Sequence, residues 1–196
     1  MKANKMILHL PNFITILNML LGLAVLYQTF GQNGEAYRLP ACILILIAAA
    51  LDALDGSLAR ALNTESALGK QLDSFADLIS FGLAPVSILL THSSFRDLGW
   101  IMFACAAFYI VAAAFRLARF NTGNFTGFFL GLPITAAGFV LILVNLILHF
   151  NSAARRPFSA IPVIVLIYLL ALLMVSKVKI YRRPHVFYKR EYSNEP

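Results

Sequence analysis

Residues 52–77 read DALDGSLARALNTESALGKQLDSFAD, and the four aspartates in this stretch, Asp52, Asp55, Asp73 and Asp77, fall within two apolar runs that span 38–62 and 67–91. A carboxylate at membrane depth costs roughly 2.5 to 3.5 kcal/mol on insertion scales unless it is paired, hydrated or bound to a cation. Four of them close together therefore call for a shared positive partner. At about 100° per residue, Asp52 and Asp55 lie roughly 60° apart on one helix, and Asp73 and Asp77 roughly 40° apart on the next. Asn63, Thr64, Glu65 and Ser66 suit a short turn between them. The two helices then run antiparallel, and the two acidic faces can meet.

Outward from this pair the chain continues in the same style. With 60% hydrophobic residues and a mean hydropathy of +0.77, it is too apolar for a soluble domain of 196 residues. Apolar runs at 11–30, 38–62, 67–91, 98–120, 129–150 and 157–180 predict an all-α, polytopic membrane protein of six transmembrane helices, with residues 1–196 forming a single membrane domain. The formal net charge of +7 would suit nucleic acid on a soluble fold, but here the basic residues flank apolar spans, so membrane topology accounts for them and no nucleic-acid partner is expected. Placing both termini in the cytoplasm puts Lys2, Lys5, Arg60, Lys70, Arg116, Arg119, Lys177, Lys179, Arg182, Arg183, Lys189 and Arg190 on that side, 12 of the 16 positive charges. The acidic helix pair then opens to the cytoplasm, most simply at the cell membrane. Lys2 and Lys5 precede a long apolar run with no small-residue cleavage site, which predicts a retained first helix rather than a signal peptide.

The remaining candidate residues admit two readings each. Gly56, Ala59 and Gly69 either let helices pack closely or admit a ligand to the backbone, and Arg60 either contacts a phosphate or reaches for the interface. Asn12, Thr15 and Asn18 recur every three residues as a polar stripe on the first helix, suited to a nucleotide or to interhelical hydrogen bonds. Arg116 and Arg119 share a face of the fourth helix, where they suit a carboxylate, a lipid phosphate or the membrane boundary. Cys42 and Cys105 lack metal or redox spacing, and His9, His92, His149 and His185 are too scattered to form a site. Oxygen ligands favour a hard cation, Mg²⁺ or Mn²⁺, and four carboxylates can hold two such ions.

The pattern Asp52-x-x-Asp55-Gly56-x-x-Ala59-Arg60, eight residues, Gly69-x-x-x-Asp73-x-x-x-Asp77 resembles the signature of the CDP-alcohol phosphatidyltransferase family at every fixed position. The resemblance implies that Asp52, Asp55, Asp73 and Asp77 ligate divalent metal, that Asp77 also acts as general base, and that Gly56, Ala59, Arg60 and Gly69 line the CDP moiety. The run from Asp73 to Pro85, the segments Arg116-Leu117-Ala118-Arg119-Phe120-Asn121 and Gly131-Leu132-Pro133, and Pro11-Asn12-x-x-Thr15-x-x-Asn18 are similar to the branch whose acceptor is L-serine, with Thr135 standing in place of a second proline. That branch implies transfer of a phosphatidyl group from CDP-diacylglycerol to L-serine, with release of CMP. Glycerol 3-phosphate or an inositol phosphate would suit the same core motif. A cation transporter would account for the aspartates but not for Gly56, Ala59, Arg60 and Gly69. Apolar helix faces left uncovered would suit membrane lipid or a homodimer.

Overall fold

A computed structural model describes residues 10–31, 36–62, 66–96, 98–123, 128–153 and 160–181. Among the described residues there are six apolar helices, as the sequence predicts: α1 (Leu10–Gly31), α2 (Arg38–Leu62), α3 (Ala67–Leu90), α4 (Gly99–Thr122), α5 (Ile134–Ala153) and α6 (Ile161–Val175). Five of them are long and apolar enough to cross a membrane. The sixth has 15 residues, about 22 Å at 1.5 Å per residue, and is shorter than the expected 157–180. Large apolar side chains such as Trp100, Ile161, Tyr27 and Phe13 point outward, as they must where lipid rather than water is the surroundings.

Helix α3 is the centre of the bundle: 61% of its span is buried, against 28% for α1 and for α2. Ser66 starts it by accepting a hydrogen bond from the Gly69 N–H at 3.0 Å, which satisfies one of the orphan donors of the first turn. The helix is α-helical from Ala67 to Asp77, opens into a π turn over Leu78–Leu83, and resumes as α-helix at Ala84. Pro85 has no N–H to offer the Phe81 carbonyl. The buried Tyr109 hydroxyl on α4 donates to that oxygen instead, at 3.2 Å. Across the other face, Asn145 on α5 donates to the carbonyl of Pro85 at 2.9 Å. Both bonds fix the irregular stretch to its neighbours, and α1, α2 and α5 pack around it.

Two boundaries depart from the sequence expectation, and both lie at one end of the bundle. The fifth helix begins at Ile134 rather than 129, because Phe128–Leu130 instead pairs antiparallel with Lys179–Tyr181 as a two-stranded ribbon, β1 with β2. Gly131 turns the chain out of the ribbon at φ +71°, a backbone region that disfavours any Cβ, and a Cβ there would collide with the Met174 carbonyl. Its N–H donates to the Val178 carbonyl, and the Leu132 N–H to that of Leu173. The chain leaving α6 is thereby pinned to the α4–α5 connection, and α6 stops at Val175. Apolar composition cannot register such a stop, since it depends on a partner from another segment.

Candidate metal and nucleotide site

Carboxylates from the second half of α2 and the first half of α3 converge, as the helical phases allow, while α1 packs against both helices. One carboxylate oxygen from each of Asp52, Asp55 and Asp73 falls within a sphere of contacts no wider than 4.8 Å. Oxygens on opposite sides of one hard divalent cation stand about 4 to 5 Å apart, so the three fit a Mg²⁺, Mn²⁺ or Ca²⁺ ion by both distance and donor type. Asp77 packs against Asp52 within hydrogen-bonding contact. Its Oδ1 is shielded from solvent and has no hydrogen-bond partner. Two carboxyl groups in contact need a proton or a cation between them, a second sign that positive charge belongs here.

The stripe on α1 turns inward and its members part company. Thr15 places its hydroxyl 2.7 Å from Oδ2 of Asp55, a carboxylate that is itself only 3% exposed. The same hydroxyl lies 3.0 Å from the Pro11 carbonyl. Asn12 is half-buried against the start of α3, where a Cβ on Gly69 would approach its Oδ1 to 2.9 Å. Gly69 thus keeps α1 and α3 close at the mouth of the acidic cluster. Asn18 is fully buried one turn deeper; its carbonyl accepts from Ser80, and neither polar atom of its amide has a partner. Gly56 is half-buried beside Asp55 on α2. Ala59 and Arg60 continue that helix, but their side chains lie outside the described residues, as does the turn at 63–65.

Arg116 and Arg119, equivalent in sequence, are not equivalent in space. Arg116 is 8% exposed, its charge bears on Asp77, and its Nε has no hydrogen-bond partner. Arg119 spreads its guanidinium over the last carbonyls of α6, donating to Val175 at 3.0 Å, Met174 at 3.4 Å and Ser176 at 3.1 Å. It closes the C-terminus of that helix, where backbone oxygens lack partners and a cation is favoured by the helix dipole. Only Arg116 of the two is brought to the carboxylates.

Between α3 and α4 lies a polar group that sequence reasoning left without a role. The Asn121 amide donates to Ser74 Oγ at 2.9 Å and to Gln71 Oε1 at 3.3 Å. Ser74 donates to the Lys70 carbonyl at 3.1 Å. Lys70 Nζ donates to the Phe120 carbonyl at 3.2 Å and lies 4.9 Å from the centre of that ring. The spacing of Ser74 three residues before Asp77 was a usable signal, because it puts both on one face of α3.

A sequence model of the CDP-alcohol phosphatidyltransferases matches residues 8–182. The chain is 34% identical over 177 residues to a Helicobacter pylori protein named CDP-diacylglycerol–serine O-phosphatidyltransferase, which covers 86% of this chain and 70% of that one. A Bacillus subtilis protein of the same name is 34% identical over 174 residues, covering 87% and 89%. Another, from Methanocaldococcus jannaschii, is 33% identical over 180 residues, covering 91% and 77%. The match runs through both acidic helices and the arginine-bearing α4, and with that extent and that site this chain belongs to the CDP-alcohol phosphatidyltransferase family.

Proposed function

We propose that this protein transfers the phosphatidyl group of CDP-diacylglycerol to the hydroxyl of L-serine, giving phosphatidylserine and CMP. The observation that carries the reading is the convergence of Asp52, Asp55 and Asp73 within 4.8 Å beside Asp77. Relatives at 33–34% identity that bear the serine transferase name support the acceptor. In this reading residues 1–196 act as one membrane domain, and the acidic cluster opens to the cytoplasm together with both termini. The positive-inside distribution supports that orientation in the cell membrane. Exposed apolar helix faces are covered by lipid or by a second copy of the chain.

Asp52, Asp55, Asp73 and Asp77 would hold Mg²⁺ or Mn²⁺, with ligands enough for two ions. When bound, the metal offsets charge on the pyrophosphate and on the departing CMP. The protein's own groups do the rest. Gly56, Ala59, Arg60 and Gly69, with Asn12 from α1, form the wall for the CDP moiety. Thr15 and Asn18, assigned to the same wall from sequence, back it from within the bundle, Thr15 by holding Asp55. Asp77 accepts the proton of the serine hydroxyl as its oxygen bonds to the β-phosphorus, and the bond from that phosphorus to the oxygen bridging it to CMP breaks. Arg116 neutralises the serine carboxylate and holds it in reach of Asp77. Arg119, paired with it for the acceptor in sequence, contributes by fixing α4 to the end of α6.

The test is purified protein in lipid nanodiscs, given labelled CDP-diacylglycerol, Mg²⁺ or Mn²⁺, and separately L-serine, glycerol 3-phosphate or an inositol phosphate. Metal-dependent CMP release with phosphatidylserine as the lipid product is the expected result. Product from a phosphorylated acceptor alone would overturn serine and leave the transferase chemistry standing. Cation flux without CMP release would overturn both.

A further inference from the structure

We propose that Asn121 is a specificity-determining residue, whose side-chain oxygen receives the ammonium group of the acceptor. The inference rests on the serine reading above and names the part of the substrate that the aspartates and Arg116 leave unrecognised. L-Serine presents three groups: a hydroxyl, for which Asp77 is the base; a carboxylate, for which Arg116 is the cation; and an ammonium, which needs an acceptor oxygen that is not a metal ligand.

Both protons of the Asn121 amide are engaged, one on Ser74 Oγ and one on Gln71 Oε1. The orientation of the amide follows from its neighbours. The Ser74 proton is directed to the Lys70 carbonyl, so an inverted Asn121 would set its oxygen against the lone pairs of Ser74. In the observed orientation the amide oxygen, Oδ1, is shielded from solvent and has no donor. A buried acceptor left unmade is costly, and an N–H brought by a ligand relieves that cost. Asn121 as a whole is half-buried, in the last turn of α4. Its partner Ser74 lies one helical turn from Asp77 on the same face of α3, and Arg116 on its own helix bears on Asp77. In this reading these groups border one acceptor cleft between α3 and α4.

The charge count of that cleft agrees. A phosphate monoester acceptor brings nearly two negative charges and no N–H, and would want two cations. Arg119 is committed to the carbonyls of Met174, Val175 and Ser176, which leaves Arg116, among the described residues, as the arginine whose charge bears on Asp77. A phosphate oxygen against Asn121 Oδ1 would set acceptor against acceptor, whereas a zwitterion with one carboxylate and one ammonium satisfies both residues. Sites that hydrogen-bond a substrate group reject analogues lacking it, because their own polar atom is then left unpaired.

The experiment compares kcat/KM for L-serine with that for 3-hydroxypropionate, which keeps the hydroxyl and the carboxylate but has no amine. Wild-type protein in nanodiscs is expected to prefer serine, and Asn121→Leu to cut that preference roughly ten- to hundredfold, through the serine KM, as the loss of one charge-assisted hydrogen bond would do. Asn121→Asp keeps an oxygen and adds charge, so the preference should hold or rise. A loss shared equally by both acceptors in Asn121→Leu, or a fall in preference in Asn121→Asp, would overturn the proposal. The second variant decides if the first does not fold. Wild-type protein that makes no phosphatidylserine at all would instead overturn the activity, and that result precedes any comparison of variants.

Discussion

Oγ1 of Thr15 stands 2.7 Å from Oδ2 of Asp55 and 3.0 Å from the carbonyl of Pro11, so one hydroxyl proton lies between two acceptors. The carboxylate is the stronger acceptor. In that arrangement the hydroxyl fixes one oxygen of Asp55, whose carboxylate shares the cluster with Asp52 and Asp73. Thr15→Val keeps the shape and removes the donor. It should weaken Mn²⁺ binding to nucleotide-free protein roughly tenfold or more, as loss of a group that orients a metal ligand does elsewhere. Thr15→Ser should restore it. Calorimetric titration with Mn²⁺ decides the matter; unchanged metal affinity with weakened CMP binding would return Thr15 to direct nucleotide contact.

Asp77→Asn retains size and removes the capacity to take a proton. CMP release at saturating metal and serine should fall about 10²- to 10⁴-fold, the usual weight of a positioned base, while the protein elutes from size exclusion as wild type. Near-normal turnover would mean that Asp77 is neither base nor required ligand.

Arg116→Lys and Arg119→Lys should separate cleanly. Lysine keeps the charge but loses the planar fork. At Arg116 the expected outcome is a raised serine KM with CDP-diacylglycerol affinity little altered. At Arg119 one ammonium must replace contacts to three carbonyls, so the loss should be thermal stability, on the order of 1 kcal/mol or more. Equal KM effects from both would argue that both bind the acceptor.

Gly131→Ala tests the ribbon. The left-handed backbone and the collision with the Met174 carbonyl should together cost about 1 to 3 kcal/mol. The cost would be seen as a lower midpoint of thermal unfolding in detergent. An unchanged midpoint would mean that the α4–α5 connection readily adopts another path.

Single cysteines at Thr64 and Ser93 should label from opposite sides of intact membranes, the first from the cytoplasm. Cys42 and Cys105 are buried and unpaired, so their background should be low. Labelling of both sites from one side would overturn the topology.

The parts legible in sequence were those that depend on spacing along one helix. Asp52 with Asp55, and Asp73 with Asp77, share faces by arithmetic, and a single short turn suffices to bring the faces together. Apolar length likewise gave six helices. What could not be read was how a polar group divides its contacts among segments far apart in the chain. Arg116 and Arg119 have the same chemistry and the same face, yet one bears on Asp77 and the other meets residues 174–176. The early end of α6 and the late start of α5 have the same origin, since both follow from a ribbon whose halves are some fifty residues apart. Asn121 was visible but had no evident task until Ser74 and Gln71 were placed beside it.

The π turn at Leu78–Leu83 begins one residue after Asp77. Such a turn carries about one more residue than the α-helical turn it replaces, so α3 is two helical segments spliced with a phase offset. Deleting one residue within the splice would convert it to an ordinary α turn and keep both halves in phase, with Asp73 and Asp77 still toward α2 and Pro85 still toward Asn145. An insertion has no such outlet and would rotate everything beyond it by about 100°, taking Pro85 and the rest of the anchoring half away from Asn145. The half of α3 that bears the aspartates and the half that anchors the bundle thus tolerate one residue fewer between them but not one more. Length, more than composition, is the constraint this segment places on any variant of the chain.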